Sequence, residues 1–225
     1  MTWILPPEAP PSVAVEATRA RFPVRRIFCV GRNYLDHALE MGGDPRTELP
    51  FFFTKPADAV VASGATIPYP PETADFHYEG ELVVAIGHGG SSIAVENAPG
   101  HIFGHASGND LTRRDLQAAA KAGRRPWDMA KGFDASALVG AIRPGALDPD
   151  AVLHLVVNGA VRQSSALSKM IWSVPEIIAA LSRFVSLAPG DLIMTGTPAG
   201  VGPLLRGDMC EVTITGLSPA RVIIA

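Results

Sequence analysis

The residues with the clearest chemical meaning are two glutamates, Glu79 and Glu81, at the head of the run Gly80-Glu81-Leu82-Val83-Val84-Ala85-Ile86. Alternate residues of a strand project from one face, so the two carboxylates point the same way. Every position after Glu81 is apolar, which predicts a strand covered on both sides. Carboxylates brought together near a core repel and resist ionisation unless a cation neutralises them, and a hard divalent ion with oxygen ligands is the natural cation. An isolated Glu-x-Glu pair at a strand end would read as solvated, but the apolar continuation weighs against that. Asp110 closes a second expected strand immediately before a helix, where it would serve as readily as a helix cap as it would as a third ligand. Three carboxylates from two strands would leave half of an octahedral shell open for substrate and water. No cluster of His and Cys offers the closed shell of structural zinc.

Other groups could act beside such a centre. His37 and Glu40 are three apart and share a face in a helical turn, where the carboxylate can orient the imidazole and raise its basicity. The same spacing describes a solvent-facing pair. Arg114 and Gln117, also three apart, project together from a helix that starts beside Asp110, either to grip substrate oxygens or to form a solvated face. Lys131, between Ala130 and Gly132, either snorkels to solvent or serves a site. Thr197, in a turn between Gly196 and Pro198, can offer its hydroxyl and backbone N–H to a carboxylate, or its turn merely connects strands. His77, His88, His101, His105 and His154 have no such partner in sequence and read as structural or surface groups.

The elements that must position these groups are short. The 22 glycines and 20 prolines are spread along the chain, which favours a β-rich architecture over a helical bundle. Strands are predicted at 26–30, 51–54, 81–86, 138–142, 152–157, 192–195, 211–215 and 221–224. Asn158-Gly159 predicts a hairpin turn, because both central positions of a type I′ turn need positive φ. Two helices are predicted, 112–122 behind a variant capping box at Thr112 and 173–184 behind Ser173-Val174-Pro175-Glu176. After Glu40, the run Met41-Gly42-Gly43-Asp44-Pro45 cannot sustain a long helix, which predicts a short lid over about residues 35–48. Residues 1–21 read as an N-terminal arm and 22–225 as one α+β, mainly β, domain. The formal charge of −3 excludes a phosphate-backbone partner as the natural reading and leaves a small anionic ligand for the basic clusters. No apolar run is long enough to span a bilayer, and Pro6, Pro7, Pro10 and Pro11 interrupt any signal helix. Cys29 and Cys210 sit in apolar runs as small hydrophobes, which suits a reducing cytoplasm.

Taken in order, Gly31-Arg32-Asn33-Tyr34, His37 with Glu40, Glu79-Gly80-Glu81, Asn109 to Gln117, Ala130-Lys131-Gly132-Phe133-Asp134 and Thr195 to Gly202 resemble the motifs of the fumarylacetoacetate hydrolase family. The match runs from about Phe22 to the C-terminus, and within the family it is similar to the short acylpyruvate hydrolases. The resemblance implies a mixed β-sandwich roll, a homodimer, and Mg²⁺ or Mn²⁺ held by Glu79, Glu81 and Asp110. It also implies His37 and Glu40 as a water-activating dyad and Lys131 at the oxyanion or the bound carboxylate, with Arg114, Gln117 and Thr197 as substrate contacts. The expected activity is cleavage of a 2,4-dioxo acid, foremost fumarylpyruvate to fumarate and pyruvate in gentisate-type aromatic breakdown. Oxaloacetate decarboxylation and the isomerisation with decarboxylation of homoprotocatechuate breakdown are the enzymatic alternatives. A non-catalytic, metal-dependent organic-acid module is the alternative of a different class, which a base dyad and Lys131 argue against. Arg32 and Lys55 fall in matching segments, where they serve either the site or structural ion pairs, and Arg124, Arg125 and Trp127 either meet the distal end of the substrate or form an exposed basic loop.

Overall fold

A computed structural model describes residues 4–6, 8–36 and 49–225 of the chain. His37 and Glu40 lie outside the described residues, as does the expected lid apart from Leu35 and Asp36.

The centre of the molecule is the strand Gly80–Ile86, buried at every position, as its unbroken apolar run predicts. It lies inside a mixed sheet whose order is Phe52–Lys55, Arg26–Val30, Asp191–Met194, Gly80–Ile86, Ile102–Asp110, Ala137–Val139, Val60–Ala62. Asp191–Met194 runs parallel to Arg26–Val30 and antiparallel to Gly80–Ile86, so the sheet is mixed at its middle. A second sheet carries Ala160–Ala166, Val152–Val157, Met209–Ile214, Ala220–Ile224 and Ala65–Ile67. Leu82, Val84 and Ile86 join one core with Leu153, Leu155, Val212 and Val222 of that second sheet and with Ile177 and Ile178 of the helix Val174–Leu181. Val83 and Ala85 belong to the other core, with Ile27, Cys29, Leu192 and Met194. Strand alternation therefore divides one strand between two cores.

Ser12–Ala14 and Arg21–Pro23 pair as an antiparallel ribbon, with Val13, Val15 and Phe22 buried in the second core. The sequence boundary between arm and domain falls within this ribbon. Asn158 and Gly159 have φ of 51° and 82°, the positive pair that the predicted turn needs. Ser173 and Glu176 form the expected capping box on Val174–Leu181.

The other helix differs from its expected form. It spans Arg114–Ala122 and has no side-chain cap, because Thr112 and Arg113 pair as a short strand with Phe76–Tyr78. Asp115, the acid of the supposed capping box, instead accepts from Thr73 Oγ1 at 2.6 Å and Ala74 N at 2.9 Å. Tertiary partners outcompete the local cap. A four-residue helix, Asp128–Lys131, was not legible, being too short for any periodicity. No helix among the described residues is long and apolar enough to cross a membrane.

Candidate active site

Antiparallel pairing of Gly80 with Asn109 brings Glu79 level with Asp110 on the neighbouring strand, and Asp110 N donates to Glu79 O at 2.9 Å. The side-chain oxygens of Glu79, Glu81 and Asp110 can all lie within 4.8 Å of one another, and all three residues are buried. The structure thus brings the spaced pair Glu79 and Glu81 together with Asp110, the residue that sequence left open between cap and ligand. Glu81 is also fixed by Gly196 N, which donates to its Oε2 at 2.8 Å.

Three cations surround these acids. Lys131 Nζ donates to Glu79 Oε2 and to Asp110 Oδ2, both at 2.7 Å, and is 2% exposed. Burial lowers its pKa, but Asp110 and Glu79 outweigh burial and the net shift is upward. Two of its three hydrogens are engaged, which leaves one for an oxyanion or a substrate carboxylate. Arg114 pairs through Nη2 with Glu79 Oε1, and its Nη1 donates to Gln117 Oε1 at 2.6 Å. Lys55, 2% exposed, places Nζ 2.6 Å from Asp110 Oδ1 as an ion pair, with its hydrogen bonds directed to the carbonyls of Leu111 and Lys131. Sequence offered Lys55 as an ion-pair residue but not Asp110 as its partner.

The fit to a divalent metal rests on these same groups. Burial, then Asp110 and Glu79, push the Glu81 carboxyl well above its usual range, so an added positive charge beside it would favour its ionised form. Asp110 Oδ1 is buried and faces the Lys55 ammonium as an ion pair. Three hard oxygen donors from adjoining strands suit Mg²⁺ or Mn²⁺.

The acids open onto a cleft bordered by Arg32, Arg114, Gln117, Lys121, Trp127 and Thr197. Arg114, Gln117 and Lys121 occur at i, i+3 and i+7 and so share one helix face. Lys121 was the member of that face passed over in sequence. Its Nζ lies 5.2 Å from the centre of the Trp127 ring. Burial, then the nearby Arg114 and Arg32, lower its pKa to about 8. His77 was set aside as structural, yet its Nδ1 accepts from Arg114 Nε at 3.4 Å while its Nε2 meets Asp75 Oδ1 at 2.7 Å. It therefore holds Arg114 from behind. Its place two residues before Glu79 was the available signal. Arg124 and Arg125 are exposed, whereas Trp127 borders the cleft.

Residues 26–224 match the family described as fumarylacetoacetate (FAA) hydrolase C-terminal. The chain belongs to this family. Among its curated relatives, a fumarylpyruvate hydrolase of Ralstonia sp is 45% identical over 177 residues, 78% of this chain and 92% of the relative. A mitochondrial oxaloacetate tautomerase of Mus musculus is 40% identical over 200 residues, 88% of this chain and 90% of the relative. The crystal structure of fumarylpyruvate hydrolase from Pseudomonas aeruginosa in complex with Mn²⁺ and pyruvate has a TM-score of 0.97 at 47% identity, covering 100% of this chain and 99% of the other. Membership of the FAA hydrolase family accounts for the mainly β, mixed-sheet fold.

Proposed function

We propose that this FAA hydrolase family member cleaves the C3–C4 bond of an acylpyruvate by hydrolysis, with fumarylpyruvate, split to fumarate and pyruvate, as its preferred substrate. The observation that carries this reading is the meeting of three buried carboxylates with Lys131, Arg114, Gln117 and Thr197 around one cleft. Glu79, Glu81 and Asp110 would hold Mg²⁺ or Mn²⁺, whose chemistry is to bind the 2-oxo acid end and accept the charge released as the bond breaks. The remaining hydrogen of Lys131 and the hydroxyl of Thr197 supply donors to the anionic oxygens. His37, oriented by Glu40, is the base assigned to the attacking water at C4. Lys121 and Arg32 give the cleft a second cationic end, suited to the distal carboxylate of fumarylpyruvate. The same reading includes a cytoplasmic homodimer acting in aromatic breakdown.

Oxaloacetate chemistry is the second reading, supported by the similarity to the Mus musculus tautomerase. It needs no base aimed at a hydrolytic water, and a dyad for that purpose favours hydrolysis. A parallel panel of fumarylpyruvate, acetylpyruvate, fumarylacetoacetate and oxaloacetate with Mg²⁺ or Mn²⁺ tests the choice. Fumarylpyruvate should have the highest kcat/KM and yield pyruvate and fumarate in equal amounts. Loss of a paired, buried carboxylate contact costs on the order of 2–5 kcal/mol, so acetylpyruvate should be clearly poorer. A higher kcat/KM for oxaloacetate, as enol formation or CO₂ release, would replace this reading by the second.

A further inference from the structure

Gln163 belongs to the strand Ala160–Ala166 of the second sheet, is 1% exposed, and lies behind the cleft rather than on its wall. The orientation of its amide follows from two partners that have no choice of role. Gly80 N–H can only donate, and it bonds Oε1 at 2.9 Å. The Pro198 carbonyl can only accept, and it takes a hydrogen from Nε2 at 2.7 Å. Rotating the amide by half a turn would set donor against donor at Gly80 and acceptor against acceptor at Pro198. The second Nε2 hydrogen then goes to Thr197 Oγ1 at 2.8 Å. A hydroxyl that accepts from one side has its own hydrogen left to donate on another. Thr197 borders the cleft beside Glu79, Glu81 and Lys131.

We infer that Gln163 is a positioning residue that sets the polarity of Thr197, holding its hydroxyl as a donor toward an anionic oxygen bound beside the three acids. The same amide ties the Thr197 turn to Gly80, between Glu79 and Glu81, so anion donor and acidic cluster keep a fixed spacing. The fit at position 80 is close, since a Cβ there would lie 3.2 Å from Gln163 Oε1 and 3.1 Å from Leu155 Cδ1. The assignment rests on the reading of the cleft as a 2-oxo acid site.

Gln163→Glu is the informative substitution. The amide nitrogen carries two hydrogens, one for Pro198 O and one for Thr197 Oγ1, whereas a carboxyl carries at most one. Pro198 O cannot donate and claims it, so the Thr197 hydroxyl must turn back toward residue 163. Calorimetry of Mn²⁺, then of oxalate on the Mn²⁺-loaded protein, should be run on the wild type, Gln163→Glu, Thr197→Val and the double variant. Each single variant should bind oxalate about ten-fold or more weakly, the worth of a hydrogen bond to a charged group. The double variant should be no weaker than Thr197→Val alone, and Thr197→Val should bind Mn²⁺ as the wild type does. A purely structural or purely charge-based role of Gln163 would persist in the Thr197→Val background, so additive losses would overturn the assignment. Unchanged oxalate affinity in Thr197→Val, which does not depend on the folding of Gln163→Glu, would overturn it as well. Failure of the Mn²⁺-loaded wild type to bind oxalate would instead remove the 2-oxo acid reading, and the assignment with it.

Discussion

At the scale of single residues, the site is a balance of buried charge in which each cation has a separate task. Lys131, Arg114 and Lys55 answer Glu79 and Asp110 directly, while Lys121 stands off them over Trp127. Lys121 is therefore the cation that can alter substrate binding by titrating. Its pKa is lowered to about 8 by burial and then by Arg114 and Arg32, so the amine is charged below that pH and neutral above it. The profile of kcat/KM reports ionisation in the free enzyme. For fumarylpyruvate it should fall as pH rises through about 8, the distal carboxylate losing its partner, while the profile for acetylpyruvate stays flat there. Lys121→Met should flatten the fumarylpyruvate profile, and an unchanged fall in that variant would assign the titration elsewhere. Glu79 and Glu81 were legible in sequence because strand spacing and an apolar run are local signals, whereas Asp110 read equally as a helix cap until the family motifs were taken together. Lys55 was read as an ion-pair candidate without its partner, and Gln163 not at all, because each reaches the site across a fold-scale distance, from Phe52–Lys55 and from the second sheet. His77 and Lys121 lay between these cases, with the right period but no sign in sequence of which face met the cleft.

At the scale of elements, the turn after Asp191–Met194 does the most to couple backbone geometry to chemistry. Asn33 Nδ2 donates to Thr195 O at 2.8 Å and to Trp172 O at 2.9 Å, clamping that turn against the Gly31-Arg32-Asn33-Tyr34 motif. Gly196 follows with φ of +94°, and a Cβ there would stand 2.8 Å from Asn33 Cβ. Its N–H is also the one that holds Glu81 Oε2. Gly196→Ala should destabilise the fold by about 1–3 kcal/mol through φ alone, with the clash adding to that. Gly64→Ala is the matched control, with φ of +91° and nothing within 4 Å of the added carbon. In urea unfolding Gly196→Ala should lose clearly more stability than Gly64→Ala, and only Gly196→Ala should lose Mn²⁺ affinity. Equal losses with intact Mn²⁺ binding would mean that the turn yields without disturbing Glu81. Strand positions in this region were read to within a residue or so from apolar runs bounded by turn residues, as 192–195 against Asp191–Met194. The helix start at Arg114 was misplaced because Thr112 and Arg113 gained a strand partner that local capping rules do not see.

At the scale of the whole molecule, the fold places its least favourable charges where its two cores meet. Gly80–Ile86 feeds alternate side chains into opposite cores, and the acids sit at its head, so their mutual repulsion acts on the strand that both cores share. The division into two cores was legible only as a strand buried on both sides; its partners required the return of Asp191–Met194 between Arg26–Val30 and Gly80–Ile86, a non-local pairing. Cation binding at the head of this strand should consequently stabilise the entire domain rather than a loop. A ligand that binds only the folded state at about a hundred times its Kd contributes about 2.7 kcal/mol. For a chain of this length that corresponds to a rise in Tm of roughly 5–10 °C. Wild-type protein stripped by chelation and then titrated with Mn²⁺ should show such a rise in calorimetry, with a single cooperative transition throughout. Glu81→Ala should remain folded, because it removes a repelling acid, yet show no rise over the same range of Mn²⁺. An equal rise in Glu81→Ala would place the stabilising ion away from the three acids, and a transition that splits on adding Mn²⁺ would show that the strand does not join the two cores into one cooperative unit.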